Sequence, residues 1–136
     1  MNNGNPATFA VLARALSIPW LAVFDGDNAG VGYCDSIGNR HFSAAVVAQK
    51  CRRLPAGHLE QQLLADGLEP ELRAILTRLG QADAETIDRP TLEKRLDGYK
   101  TAYAAELASR IATDAGLAQR MPQAFRDAIG ELRGLT

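Results

Sequence analysis

Two aspartates separated by one glycine, Asp25-Gly26-Asp27, directly follow the apolar run at residues 19–24. Two carboxylates this close in sequence can converge on one hard cation, and Mg²⁺ favours one or two carboxylates together with water and phosphate oxygens. The intervening glycine lets the backbone turn sharply and approach a ligand closely. The same residues also suit a polar β-to-α turn. The pattern alone therefore leaves a metal site and a simple turn open.

The apolar run at residues 19–24 is the element that would position these carboxylates. A short continuous apolar run predicts a strand buried on both faces, as in a parallel sheet. Ligand sites of α/β proteins lie beyond the carboxyl ends of such strands. A helix is predicted before the strand, because apolar side chains recur there at helical spacing, namely Phe9, Leu12, Ala13 and Leu16.

The rest of the chain predicts few further strands. Residues 25–39 are rich in glycine and asparagine and are predicted to form a loop, followed by a short helix at 43–49 and a second strand at 51–54. Helices are predicted from Gly57 onward, ending at Gly67, at Gly80 and near Gly116, with the third weakened at Gly98. The last begins at Pro122, with an inward stripe of Phe125, Ile129 and Leu132. These elements favour the later part of an α/β domain, at about residues 1–89, with a helical C-terminal extension at about 90–136.

Composition limits the functional classes. The net charge of −1 does not indicate a nucleic-acid-binding protein, so DNA contact would need bound metal or a local basic patch. Arg40, Arg52 and Arg53 are the candidates for such a patch, the alternative being a solvated face. Cys34 and Cys51 fit no metal motif and are expected to be free thiols in a reducing cytosol. No apolar run approaches the roughly 20 residues of a membrane span. We therefore expect a cytoplasmic protein with no membrane partner.

Two other motifs also place aspartates in a loop of this kind. A calcium-binding EF-hand loop starting at Asp25 would place Ser36 where a bidentate glutamate is required, which excludes it. A phosphatase of the haloacid dehalogenase type also places Asp-x-Asp after an apolar strand, but it carries Thr or Val where Ala29 stands. That alternative predicts a covalent phosphate on Asp25. The chain also lacks the Gly-x-x-x-x-Gly-Lys-Ser/Thr loop of an ATPase.

Five segments of the chain, taken in order, resemble the Toprim domain of the OLD (overcoming lysogenization defect) family of nucleases. They are ARALSIPW at 13–20, FDGDNAG at 24–30, LPAGHLE at 54–60, KTAYA at 100–104 and MPQAFRDAI at 121–129. The resemblance implies a single Toprim-like domain over residues 1–136, built on a partial Rossmann-like parallel sheet.

The resemblance also implies a function and a set of site residues. It implies a DNA endonuclease module that uses Mg²⁺ or Mn²⁺, commonly joined to an ABC-type ATPase. Asp25 and Asp27 would bind metal, Glu60 would bind a second ion, and Lys100 would stabilise charge on the scissile phosphate, with Asp25 counted in the catalytic set. Two metals can clamp the attacking and leaving oxygens of a phosphodiester displacement, and a lysine supplies positive charge where negative charge develops.

Simpler roles are open for three of these residues. Glu60 begins a predicted helix, where a carboxylate meets the positive end of the helix dipole. Lys100 borders an apolar stripe, where a lysine commonly extends its stem along the surface. His58 is expected to lie on the surface or cap a helix, with a hydrogen bond to a metal ligand as the alternative.

The chain departs from the family pattern before its first strand. The family's domain begins with a strand and a glutamate ligand, and no such strand precedes Asn5. We therefore expect a fragment or a subunit of an ATP-dependent nuclease, with a non-catalytic relic or accessory protein as the alternative. An exposed sheet edge would also make a homodimer plausible.

Overall fold

The structure is a computed structural model that describes residues 5–40, 42–55 and 57–135. Within these residues the fold is mixed α/β, mostly helical, with a small two-stranded parallel sheet. In chain order the elements are α1 (Pro6–Ala15), β1 (Ala22–Phe24), α2 (Asn28–Arg40), α3 (Ala44–Lys50), β2 (Cys51–Arg53), α4 (Leu59–Ala65), α5 (Glu69–Arg78), α6 (Arg89–Gly98), α7 (Lys100–Thr113), α8 (Ala115–Arg120) and α9 (Gln123–Leu135).

The chain divides into two compact units. Unit 1 combines Met1–His58 with Gln123–Thr136 and therefore contains both strands and α9, whereas unit 2 is the continuous segment Leu59–Pro122. The division falls after His58 and after Pro122. Every described helix is too short or too polar to cross a lipid bilayer.

The sheet of unit 1 confirms both predicted strands, although each is only three residues long. β1 and β2 run parallel, with Val23 opposite Arg52 and Phe24 opposite Arg53. Helices α2 and α3 form the connection between them, as a parallel pair requires. The carboxyl ends of both strands therefore lie at the same edge of the sheet.

The loop predicted for residues 25–39 is wrong from Asn28 onward, because helix α2 begins there. The amide of Gly30 donates to Asp27 Oδ1 at 2.9 Å, which satisfies one of the unpaired donors at the start of the helix. Ile37 is almost completely buried, so one face of the helix packs into unit 1. Glycines lower helix propensity by about 1 kcal/mol each, and here the cap and the packing outweigh that cost.

The core of unit 1 is small and partly aromatic. Its fully buried residues are Ala7, Ala10 and Ile37, and five half-buried side chains pack against them, namely Trp20, Phe24, Phe42, Val47 and Cys51. Trp20 meets Phe42 edge-on with ring centroids 5.4 Å apart. The guanidinium of Arg14 lies 4.7 Å from the centre of the Phe42 ring, which is cation–π geometry.

Unit 2 contains a larger core of buried leucines, Ile75 and Tyr103. Gly67 and Gly80 have positive φ angles of 82° and 93°, so both predicted helix stops are confirmed. The helical stretch predicted from Thr91 to about Gly116 is helical, and it is interrupted after Gly98, where the prediction placed its weak point, and again at Asp114, which was not predicted. Asp114 is extended, and its carboxylate accepts from the amide of Leu117 at 3.1 Å to cap α8.

The last helix, α9, belongs to unit 1 and differs from the prediction at one position. Ile129 was predicted to face inward, but it is 50% exposed, and the neighbouring Ala128 is buried instead. Phe125 and Leu132 are half-buried. Glu131 of α9 pairs with Arg52 of β2 at 2.9 Å, which attaches the helix to the strand pair.

Candidate metal centre

Asp25 and Asp27 lie where the sequence predicted them, immediately beyond the carboxyl end of β1. The loop that carries them is joined to the loop beyond β2 by two backbone hydrogen bonds. The amide of Leu54 donates to the carbonyl of Phe24 at 2.9 Å, and the amide of Gly26 donates to the carbonyl of Gly57 at 2.7 Å. These bonds continue the strand pairing past the ends of the strands.

His58 joins the two aspartates through this pairing. Gly57 has a φ of 92°, a left-handed conformation that is costly for residues with a Cβ, and it turns the chain so that the imidazole reaches the acidic loop. His58 Nδ1 lies 3.4 Å from Asp27 Oδ2 and 3.6 Å from Asp25 Oδ2. One ligand atom from each of the three residues lies within 4.8 Å of the others.

The separations within this group suit ligands of one ion. The two distances from the imidazole nitrogen also lie within the range of a direct ion pair with the two carboxylates. Ligands held about 2.1 Å from a tetrahedral ion lie about 3.4 Å apart. The imidazole suits Zn²⁺ and other transition-metal ions, whereas the two carboxylates suit Mg²⁺ or Mn²⁺, so the set does not select one ion. The three residues therefore fit a divalent ion.

Two close backbone approaches build the acidic loop. A Cβ added to Gly26 would lie 2.1 Å from the carbonyl oxygen of Leu54, and one added to Gly30 would lie 1.8 Å from that of Asp25. Real side chains cannot occupy either position without moving the backbone. Glycine at both positions therefore holds the carboxylates close to β2 and to the start of α2, before any ligand binds.

The carboxylate of Asp27 has two oxygens with different tasks. Oδ1 caps α2 by accepting from Gly30, and Oδ2 points toward His58. The capping bond fixes the rotation of the side chain, so the second oxygen is already aimed at the centre of the group. Asp25 and Asp27 are both half-buried, which leaves one side of the group open to water or substrate, as catalytic metal sites require.

Glu60 and Lys100, the other two predicted site residues, lie in unit 2 and are brought together there. Glu60 is only 2% exposed, and the hydroxyl of the buried Tyr103 donates to its Oε1 at 2.8 Å. Lys100 Nζ lies 3.9 Å from the same oxygen and 2.9 Å from Asp97 Oδ1. The hydroxyl contact of Tyr103 with Glu60 was not predicted from the sequence.

The three predicted DNA-binding arginines differ in their surroundings. The guanidinium of Arg52 donates to both carboxylate oxygens of Glu131, at 2.9 and 3.0 Å, and to the Gln49 carbonyl at 2.7 Å. Arg52 therefore closes the end of α3 and has its charge balanced by α9. Arg53 is exposed at the end of β2. Arg40 is the last residue of α2, and its side chain lies outside the described residues.

Cys34 and Cys51 are free thiols joined by a side-chain hydrogen bond. Burial raises the pKa of the Cys51 thiol to about 11 and also raises the pKa of Cys34. Both thiols are therefore protonated at neutral pH. Because the thiolate is the form that attacks substrates and binds metals, the raised pKa values disfavour both roles for this pair.

Compared with protein-family models, with curated proteins and with solved structures, the chain matches none. The acidic loop is therefore the structural feature of unit 1 from which a function can be inferred.

Proposed function

We propose that this chain is a divalent-metal-dependent module that hydrolyses DNA phosphodiester bonds, with an acidic site of the Toprim type. One observation carries the proposal, namely the convergence of Asp25, Asp27 and His58 beyond the carboxyl ends of two parallel strands. Ligand sites of α/β proteins lie at this edge of the sheet. The order of the sequence segments that resemble OLD-family Toprim domains supports DNA as the substrate.

The residues of the loop would act by holding one ion and leaving room for a phosphate. Asp25 and Asp27 supply negative charge that attracts a cation, and His58 adds a third ligand from the neighbouring loop. The Gly26 and Gly30 contacts keep the ligands in place, so little reorganisation is needed on binding. A bound Mg²⁺ or Mn²⁺ ion supplies Lewis acidity toward a phosphate ester.

Further parts of the proposal rest on the family resemblance alone. These are the second metal ligand Glu60, the charge-stabilising Lys100, phosphate contact by the arginines and an ABC-type ATPase as domain or partner. Within unit 2 the carboxylate of Glu60 already accepts from Tyr103, so its use as a ligand would compete with that bond. We therefore place the main test on Asp27.

The decisive variant is Asp27→Asn. Asparagine retains an oxygen that can accept from Gly30 and cap α2, but it removes the negative charge. A calorimetric titration with Mn²⁺ should give a dissociation constant for Asp27→Asn at least about tenfold higher than that of the parent. This corresponds to a loss of about 1.4 kcal/mol in binding free energy. Nicking of supercoiled plasmid with Mg²⁺ or Mn²⁺ should be lost in the same variant. Asp35→Asn is the matched control, because Asp35 is an exposed acid of α2 outside the metal group.

Each outcome has a definite meaning. Nicking by the parent and by Asp35→Asn, but not by Asp27→Asn, supports the proposal. Metal binding without nicking would instead favour a non-catalytic accessory module. Equal nicking by Asp27→Asn would place the activity elsewhere, and a parent that binds no divalent ion would overturn the assignment of the site.

A further inference from the structure

The two cysteines of the chain lie side by side in unit 1. Cys34 belongs to α2, and Cys51 is the first residue of β2. Their thiols are joined by a side-chain hydrogen bond. The packing agrees with this contact, because Ile37 lies one turn after Cys34 on the same face of α2, and Cys51 packs against the core cluster that contains Ile37. Two thiols separated in sequence by the whole of α3 are therefore direct neighbours.

An open groove between α2 and α3 gives small solutes access to one of these thiols. Its volume is about 370 Å³, and Cys34 lines it beside Gly38 of α2 and Ala44 and Ala48 of α3. Glycine and alanine add little or no side chain at these positions, which leaves the space open. Both cysteines are only half-buried, so a small oxidant can reach Cys34 while unit 1 remains folded.

The two thiols differ in how readily they lose a proton. Burial raises the pKa of both, and the pKa of Cys51 reaches about 11. The hydrogen bond from Cys51 and the positive charge of Arg53 lower the pKa of Cys34 and oppose the effect of burial there, whereas Asp35 raises it. The same hydrogen bond raises the pKa of Cys51. Cys34 is therefore the thiol that ionises first, with Cys51 donating to its sulfur.

We propose that Cys34 and Cys51 form a redox modification site, at which a small hydroperoxide converts the two thiols into a reversible disulfide that ties α2 to β2. In a reducing compartment such disulfides are transient and sense oxidants. The proposal is independent of the proposed function, because neither cysteine belongs to the metal group of the acidic loop.

The reaction takes two steps and consumes one hydroperoxide. The thiolate of Cys34 attacks the peroxide, so that an S–O bond forms, the O–O bond breaks, and the leaving oxygen takes a proton from solvent. The product at Cys34 is a sulfenic acid. The thiol of Cys51 then attacks the sulfur of Cys34, so that the S–S bond forms, the S–O bond breaks, and the hydroxide leaves with the thiol proton as water. The two electrons that the sulfurs lose reduce the peroxide. Because the Cys34 thiolate is a minor species at neutral pH, the first step limits the rate.

Hydrogen peroxide is the probe, applied to the full chain. After sustained exposure the parent should lose both free thiols, and its intact mass should fall by that of two hydrogens. Trypsin should then release peptide 15–40 joined to peptide 51–52, and a dithiol reductant should separate them. The yield should not depend on protein concentration, because both thiols belong to one chain. Two thiols that survive the exposure, a cross-link between chains, or sulfinic acid at each cysteine in place of the cross-link would overturn the proposal.

Cys34→Ser and Cys51→Ser test the order of the steps, each as the matched control of the other. Cys51→Ser lacks the second thiol, so Cys34 should stop at the sulfenic acid, which dimedone traps. Cys34→Ser leaves only the thiol whose pKa is about 11, and this thiol should react with peroxide at least about tenfold more slowly than the thiol of Cys51→Ser. Equal rates, or a faster reaction of Cys34→Ser, would overturn the assignment of Cys34 as the attacking thiol.

Trp20 reports whether the disulfide stabilises unit 1. It is the only tryptophan of the chain and packs against the core of this unit, so its emission follows the unfolding of unit 1 in urea. A cross-link between residues 34 and 51 restricts the unfolded chain, and the folding equilibrium constant should rise about a hundredfold for a loop of this length. Cys51→Ser exposed to peroxide in the same way should show no rise. Equal unfolding of the oxidised and the reduced parent would overturn the role of the disulfide in tying α2 to β2.

Discussion

Gly30 and Gly32 stand two residues apart in α2, and their surroundings are opposite. A Cβ at Gly30 would lie 1.8 Å from the carbonyl oxygen of Asp25, whereas one at Gly32 would have no heavy atom within 4 Å. The first glycine is therefore required by a backbone contact of the acidic loop. The second is only a weak helix former in open space.

The two alanine substitutions should therefore have opposite signs. Gly30→Ala must displace the loop of Asp25, and we expect a loss of about 1–3 kcal/mol in the free energy of unfolding, as for other overpacked sites. Gly32→Ala should gain about 0.5–1 kcal/mol, because alanine favours helix. Urea unfolding of both variants measures the difference. A Gly30→Ala protein as stable as Gly32→Ala would mean that the contact is not present in solution.

Glu60 and Tyr103 form the one buried carboxylate contact described in unit 2. Tyr103→Phe removes the hydroxyl that donates to Glu60 at 2.8 Å, while the ring can keep its place. A hydrogen bond to a charged group contributes about 1.5–3 kcal/mol, so we expect a loss in that range by urea unfolding.

Tyr99→Phe is the matched control for this variant. The hydroxyl of Tyr99 accepts from the neutral side-chain amide of Gln81 at 2.7 Å, and neutral bonds contribute only about 0.5–1.5 kcal/mol. A smaller loss is therefore expected. If Tyr103→Phe lowered the free energy of unfolding no more than Tyr99→Phe, the bond from Tyr103 to Glu60 would be weak. A metal ion could then replace that bond at little cost.

At the scale of single elements, the sequence predicted the strands and helix ends that short runs of residues mark by themselves. The apolar run before Asp25 marked β1, and the glycines at 67 and 80 marked helix ends by their left-handed backbone. Helix α2 was missed because its composition suits a loop, and its stability comes from the Asp27 cap and from the buried Ile37. Contacts of this kind are tertiary, and periodicity does not reveal them.

Helix α6 begins at a cap whose effect should depend on pH. Asp88 accepts from the amide of Thr91 at 2.9 Å, and hydrogen bonds from Thr91 hold the pKa of this carboxyl below its ordinary value of 3.8. A lowered folded-state pKa means that the charged cap stabilises the fold above the unfolded pKa. That stabilisation is lost as the pH falls through the folded pKa.

Asp88→Ala should therefore lower the melting temperature at pH 7, and its difference from the parent should shrink below about pH 4. Asp88→Asn keeps an acceptor for Thr91 without the charge, so it should lose less at pH 7 and vary less with pH than the parent. Thermal melts at pH 7 and pH 3 give both comparisons. A constant difference between Asp88→Ala and the parent across that range would contradict the role of the charge.

At the scale of the whole molecule, the sequence predicted the acidic loop but only part of its site. The strand followed by Asp25 and Asp27 was visible in the order of residues. His58 was predicted to lie on the surface or cap a helix, with a hydrogen bond to a metal ligand as the alternative, and its place among the possible ligands was missed. The Gly26–Gly57 backbone bond that brings it to the loop joins residues far apart in sequence. The contact of Tyr103 with Glu60 spans 43 residues, and the division of the chain into two units likewise depends on tertiary packing.

This division predicts that unit 2 folds alone. Leu59–Pro122 is one continuous segment, and its buried core residues all come from within it. A peptide of residues 59–122 should unfold cooperatively in urea, with a stability of about 3–9 kcal/mol for its length. Leu76→Ala, at a position with no exposed surface, should cost about 2–5 kcal/mol and leave the peptide largely unfolded. A parent peptide without a cooperative transition would show that this core needs unit 1, whose two segments come from either side of it in the chain.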